Sequence, residues 1–236
     1  MRAIRSGFLQ MLVFMRRDMM LSAACLAPVL AGLGIRFGIP FLEDVLTERF
    51  SKSAVLSPYY ALIDIFFSML SPAMFCFISA MVSLEEADEK TAAYLFVTPL
   101  GRKGYLAARF CLPGAASFLV TVALLPVFGL STRSLADILS LSAGGTLQGV
   151  IVALLIVAFS SNKLEGMAAA KLSSLLIFGA AVPFFLRQGT QYIMSPLPSF
   201  WIGKAVFEDT LVFMLPAFAS SAVWIRFLLR RYLRKI

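Results

Sequence analysis

Histidine is absent from this chain of 236 residues, and charge is scarce, with Asp, Glu, Lys and Arg making up 14%. Without histidine there is no ordinary general base near neutral pH, and the commonest metal ligand is gone. Cysteine is limited to Cys25, Cys76 and Cys111, each inside an apolar run. These read as small buried hydrophobes, with no disulfide framework and no Cys-x-x-Cys metal site. A G-x-x-x-x-G-K-[ST] phosphate loop is missing, which leaves no ATPase of that kind in this chain. His-Glu-x-x-His and G-x-S-x-G are missing as well. A membrane enzyme would need acids or histidine placed inside apolar spans, and among the acids only Asp64 lies away from the ends of one.

Apolar residues dominate instead: 60% of the chain, including 22 Phe and 11 Met, with a mean hydropathy of +0.87. Soluble domains average roughly 45–50% apolar and about 25% charged. A membrane span needs about 20 mainly apolar residues. Six candidates are found, roughly at 19–42, 58–84, 105–130, 136–159, 168–186 and 210–229. All but one contain proline, and kinks are expected there. Small residues crowd at 142–149 (SAGGTLQG) and 178–181 (FGAA), which predicts close helix contacts. The whole of 1–236 reads as a single transmembrane domain, without a soluble domain or a clear internal repeat.

The net charge of +8 follows membrane topology and points to no nucleic acid. With both termini placed in the cytoplasm, fifteen of the 21 basic residues fall on that side, and Arg36, Arg49, Lys52, Arg133, Arg187 and Lys204 on the other. That asymmetry is what sets orientation in a cell membrane. Residues 1–17 repeat apolar side chains at Ile4, Phe8, Leu12 and Met15, between Arg2, Arg5 and Arg16. The pattern predicts an interfacial amphipathic helix. A cleaved signal peptide fits less well, because the apolar run that follows is too long for one.

The most polar stretch, SLEEADEKTAAYLFVTPLGRKGY at 83–105, lies between the second and third spans. Glu85, Glu86, Asp88 and Glu89 precede the helix-competent KTAAYLFV, where acids suit a helix N-terminus. Pro99 and Gly101 then stop that helix, ahead of Arg102 and Lys103. The expectation is a short helix lying along the membrane, with Tyr94, Leu95 and Phe96 available for contact. The bland alternative is a solvated connector. The next cytoplasmic loop, SSNKLEGMAAAK at 160–171, offers Asn162 to Glu165 as a second contact and Gly166 as a turn, or is a plain connector. Between the last two spans, residues 187–209 carry Tyr192, Phe200 and Trp201 around SPLP, which forbids one continuous helix. Half-helices dipping into the outer face are expected.

Glu89, Thr91, Leu95, Thr98, Pro99, Leu100, Gly101, Arg102, Tyr105, Leu106 and Arg109 make the pattern T-x-x-x-L-x-x-T-P-L-G-R followed by a Tyr-Leu and a basic residue. In this the loop resembles the first cytoplasmic loop of type-2 ABC exporter permeases. RRDMML at 16–21 and NKLEGMAAAK at 162–171 are similar to the small-permease branch of drug, including fluoroquinolone, exporters. The resemblance implies an all-α permease of six spans, with an N-terminal interfacial helix, a coupling helix within 85–103 and a re-entrant segment before the last span. It implies a transport subunit and no enzyme: ATP and Mg would bind two copies of a separate ABC ATP-binding subunit. A second permease copy or a paralogous permease would complete the assembly in the bilayer. The cargo implied is hydrophobic or amphipathic: a drug, a lipid or something peptide-like. Carried over to this chain, the ATPase-coupling residues are Glu85, Glu86, Glu89, Thr91, Tyr94, Leu95, Thr98, Pro99 and Arg102, with Asn162 and Glu165. An integral membrane enzyme, a structural subunit without transport and a haem-export permease are the alternatives, the last without a histidine to handle haem iron.

Arg36 lies 18 residues past Asp18, and Asp64 lies 20 residues before Leu84, depths of about 27 and 30 Å from the cytoplasmic ends of two consecutive spans. Charge inside a span is expensive and usually partnered. The pair is expected either to form an ion pair at the outer gate or to reach separately for the headgroups.

Overall fold

The computed structural model describes residues 13, 19–51, 53–98, 100–186 and 189–235. The expected interfacial helix at 1–17 therefore lies outside the described residues, Val13 excepted. Every regular element described is helical. Among the described residues, six helices are long and apolar enough to cross a membrane: Leu21–Phe50, Ser57–Asp88, Gly101–Phe128, Leu135–Phe159, Lys163–Phe185 and Leu211–Lys235. They are called the first to sixth spans below. The all-α, six-span architecture expected from the sequence is the one observed. The first span runs eight residues past its expected end at 42, to Phe50.

The second and fourth spans form the hub. Their most apolar stretches are 72% buried, against 11% for the first span and 22% for the fifth and sixth. Glycine makes this contact possible. A side chain on Gly145 would strike the carbonyl of Ser68, and one on Gly149 would come within 2.7 Å of the Pro72 carbonyl. The two backbones therefore touch where SAGGTLQG lies, as its small residues predicted. FGAA does the same for the fifth span: Ala180 sits against Gly203 of a helix at Pro198–Phe207. That helix is buried in the bundle, with Phe200 and Ile202 fully covered and Ile202 against Gly144. Ser199 Oγ donates to the Leu176 carbonyl at 2.5 Å. The fifth span is a 3-10 helix at that point, over Leu175–Ala181.

Two other spans break regular α geometry in a π turn. The turns are Gly34–Gly38 in the first span and Ala107–Cys111 in the third, and each holds an arginine, Arg36 and Arg109. Such turns add a residue to the helix and occur often at functional positions. At the far end of the fourth span, the last carbonyls are capped by basic side chains from the sixth. Lys235 Nζ donates to Val157 at 3.1 Å and also to Ser160, and Arg231 Nε donates to Ala158 at 3.4 Å. Cations at a helix C-terminus satisfy orphan carbonyls and oppose the dipole.

Candidate partner-docking site

The second span stays helical through Asp88, four residues into the acidic stretch. The acids Glu85, Glu86 and Asp88 thus end one helix as well as preceding the next, and a helix C-terminus disfavours negative charge. Cations offset this. Arg109 makes an ion pair with Glu86 through Nη2, and its Nε donates to the same carboxylate at 3.1 Å. Tyr105 donates its hydroxyl to Glu86 at 2.9 Å. Arg109 is 3% exposed and Tyr105 fully buried, so this cluster ties the second span to the third inside the protein.

Lys90 then reverses the chain in the left-handed region, at φ 58°, and a loop helix follows at Thr91–Val97. Thr91 Oγ1 donates to the Glu86 carbonyl at 3.1 Å and Thr98 Oγ1 to Leu95 at 2.7 Å. Gly101, at φ +62°, supplies the second reversal into the third span. Phe96 packs edge-on against Tyr105, ring centroids 5.2 Å apart, and Arg102 lies over Phe96 at 5.7 Å. The loop helix is thereby anchored to the Glu86 cluster.

The second loop is fastened to the first. Lys163 Nζ pairs with Glu85 at 3.2 Å, and its backbone N–H points to Asp88 at 3.4 Å. Asn162 caps the helix that follows by accepting from the Glu165 N–H at 2.8 Å, and Glu165 in turn accepts from the Ser161 N–H at 2.7 Å. Gly166 lies within the helix Lys163–Ser174 and not at a turn; a side chain there would meet Met81 at 2.9 Å. Its smallness lets this helix lie on the end of the second span.

These placements divide the expected coupling residues. Glu86 turns inward, because it continues the buried stripe Pro72, Cys76, Ser79 and Ser83 at helical spacing. Glu85, Asn162, Glu165, Thr91 and Thr98 hold the two loops in shape. Leu95 and Phe96 are half-buried rather than free for contact. Pro99 lies outside the described residues. What faces outward is Tyr94, 72% exposed, and Val97, 85% exposed, one helical turn apart. Glu89, Lys90, Arg102 and Lys103 are exposed around them. Leu164, 78% exposed, is the apolar residue of the second loop. Val97 and Leu164 were not singled out from the sequence, although Val97 sits three residues after Tyr94, the spacing that shares a helix face.

At the other end of the bundle, Arg36 and Asp64 do not pair. Asp64, 1% exposed, accepts from the N–H groups of Leu130 (2.8 Å) and Ser131 (2.9 Å) and from the Ser131 hydroxyl. Its cation is Arg133, at 3.7 Å. Arg36 donates to the Gly129 carbonyl at 3.2 Å. The matching depths brought both to one loop, 129–133, and the loop's own arginine took the carboxylate. Among the described residues, no group of three or more Cys, Asp or Glu is placed to hold a metal.

Comparison with known proteins supplies a family. The family model for the fluoroquinolones export permease protein Rv2686c-like family matches residues 11–230. Two relatives, "Fluoroquinolones export permease protein MT2760" and "Fluoroquinolones export permease protein Rv2686c", come from two strains of Mycobacterium tuberculosis, CDC 1551 and H37Rv. Each is 26% identical to this chain over 192 residues, covering 80% of this chain and 75% of its own length. No solved structure matches. A match over nearly the whole chain, on six apolar spans, places this protein in the Rv2686c-like fluoroquinolone export permease family.

Proposed function

We propose that the chain is the membrane subunit of an ATP-driven ABC exporter, two such subunits working on two copies of a separate ATP-binding subunit. In this reading the Glu85 end faces the cytoplasm, and the loop helix is the coupling helix. The observation that carries it is the exposed pair Tyr94 and Val97, ringed by charge on a helix that is anchored to the transmembrane core. Exposed apolar side chains rimmed by charge mark a protein interface. Closure of the ATPase dimer would press on this face. Phe96, Tyr105 and the Glu86–Arg109 pair would carry the push into the second and third spans. The ATPase must bind the two permease conformations with different affinity for this to drive transport. Cargo of the amphipathic kind, fluoroquinolones among them, is the reading that the relatives' names favour. The segment 190–207 is read as re-entrant from the outer face.

The test is co-purification with the partner ATPase and stimulation of its ATP hydrolysis. Val97→Asp and Tyr94→Asp should each reduce complex formation at least tenfold, a loss of about 1.4 kcal/mol or more. Membrane insertion should be unchanged. Normal complex and normal stimulation in both variants would overturn the assignment.

A further inference from the structure

Asp64, Arg133 and Arg36 line a cavity of about 330 Å³ together with Gly129, Leu130 and Ser131. Apolar wall is supplied by Leu125, Pro126 and Ile138. The charges do not cancel. Asp64 accepts from two backbone N–H groups and a hydroxyl, and Arg133 balances its charge. Arg133 Nε is itself buried without a hydrogen bond, its ion-pair oxygen being 3.7 Å away. Arg36 has spent one N–H on the Gly129 carbonyl, and its remaining donors find no acceptor among the described residues. A guanidinium carries five N–H donors in a fork that fits carboxylate or phosphate oxygens two at a time. The π turn at Gly34–Gly38 holds this arginine at the cavity, and a full positive charge remains there.

We propose that this cavity binds the anionic head of an amphipathic molecule, a carboxylate or a phosphate, with Arg36 as the group that receives it and Leu125 and Ile138 against its apolar part. The volume is at the lower end of the range for small-molecule sites, roughly 300–1,000 Å³. Two sources share this chemistry: a carboxylate-bearing cargo and an anionic lipid. The cargo source rests on the export reading above; the lipid source does not.

The experiment uses the full-length chain in phosphatidylcholine nanodiscs. Binding of a fluoroquinolone free acid and of its methyl ester is measured by equilibrium dialysis for wild type, Arg36→Gln and Arg36→Lys. In parallel, thermal stability is followed as phosphatidylglycerol replaces part of the phosphatidylcholine. If the ligand is cargo, wild type prefers the acid to the ester by about tenfold, in line with one charge-assisted hydrogen bond. Arg36→Gln then removes the preference, and Arg36→Lys, which keeps the charge but loses the fork, retains part of it. If the ligand is lipid, phosphatidylglycerol raises the melting temperature of wild type and of Arg36→Lys but not of Arg36→Gln. Should neither the acid preference nor the lipid effect depend on residue 36, the proposal is overturned. A chain that binds no fluoroquinolone but shows the lipid effect refutes that cargo while upholding the cavity.

Discussion

A single carboxylate separates two kinds of charged contact at the Glu85 end. Glu86 meets Arg109 inside the protein, with side chains 14% and 3% exposed, whereas Glu85 meets Lys163 at 27% and 32%. Truncating one partner of a buried pair strands the other charge and costs about 3 kcal/mol or more. A solvent-exposed pair is worth about 1 kcal/mol at most. Glu86→Gln is therefore expected to lower the melting temperature of the detergent-purified protein several times more than Glu85→Gln, and Glu86→Gln with Arg109→Met to recover part of the loss. Equal shifts from the two single variants would refute the inward assignment of Glu86. Lys204, 2% exposed in the segment before the last span, makes a different case. Burial alone would lower its pKa, but hydrogen bonds to Tyr192 (2.5 Å) and Glu208 outweigh that and raise it above the usual lysine value. A lysine raised on folding contributes fully below its unfolded pKa and loses the contribution only as pH climbs through the folded one. Between pH 6 and 9 the melting temperature should carry no dependence that Lys204→Met removes.

One helix contact decides how far this element arrangement tolerates change. A side chain on Gly149 would lie within 2.7 Å of the Pro72 backbone, and neither helix can yield at the hub. Forcing atoms into a packed contact costs about 1–3 kcal/mol or more. Gly149→Val should then abolish recovery of monodisperse protein by size-exclusion chromatography, while Gly38→Ala, with nothing within 4 Å, should leave it unaltered. The close contact was legible as a run of small residues, and the six spans as hydropathy, because both are properties of consecutive positions. The π turns at Arg36 and Arg109 were not, since GIRFG and AARFC carry no pattern that an α-helix would refuse. The inward turn of Glu86 was readable in principle, by extending the helical phase of Cys76, Ser79 and Ser83 one more step. Reading the acids as the start of the loop ended that phase too early. The partner of Asp64 was beyond reach, because Arg133 arrives through the fold of a loop nearly seventy residues on.

Across the whole molecule, most of the described basic residues gather at one end. Lys90, Arg102 and Lys103 flank the loop helix, Lys163 sits on the second loop, and Arg226, Arg230, Arg231, Arg234 and Lys235 line the last turns of the sixth span. Some of these have structural work: Arg231 and Lys235 cap the fourth span, and Lys163 joins the loops. Arg102, Arg226, Arg230 and Arg234 remain exposed, so the bias that orients a membrane protein survives once these structural contacts are set aside. Ser53, exposed between the first and second spans, stands at the end opposite Thr98. In a cysteine-free background in intact cells, a membrane-impermeant maleimide should therefore label Ser53→Cys, and should label Thr98→Cys only after permeabilisation. Under the proposed function, co-expression of an ATP-binding subunit should further protect Thr98→Cys in the permeabilised cells, because that residue adjoins the Tyr94 and Val97 face. Labelling of Thr98→Cys in intact cells would invert the topology, and with it the side on which an ATP-hydrolysing partner could dock.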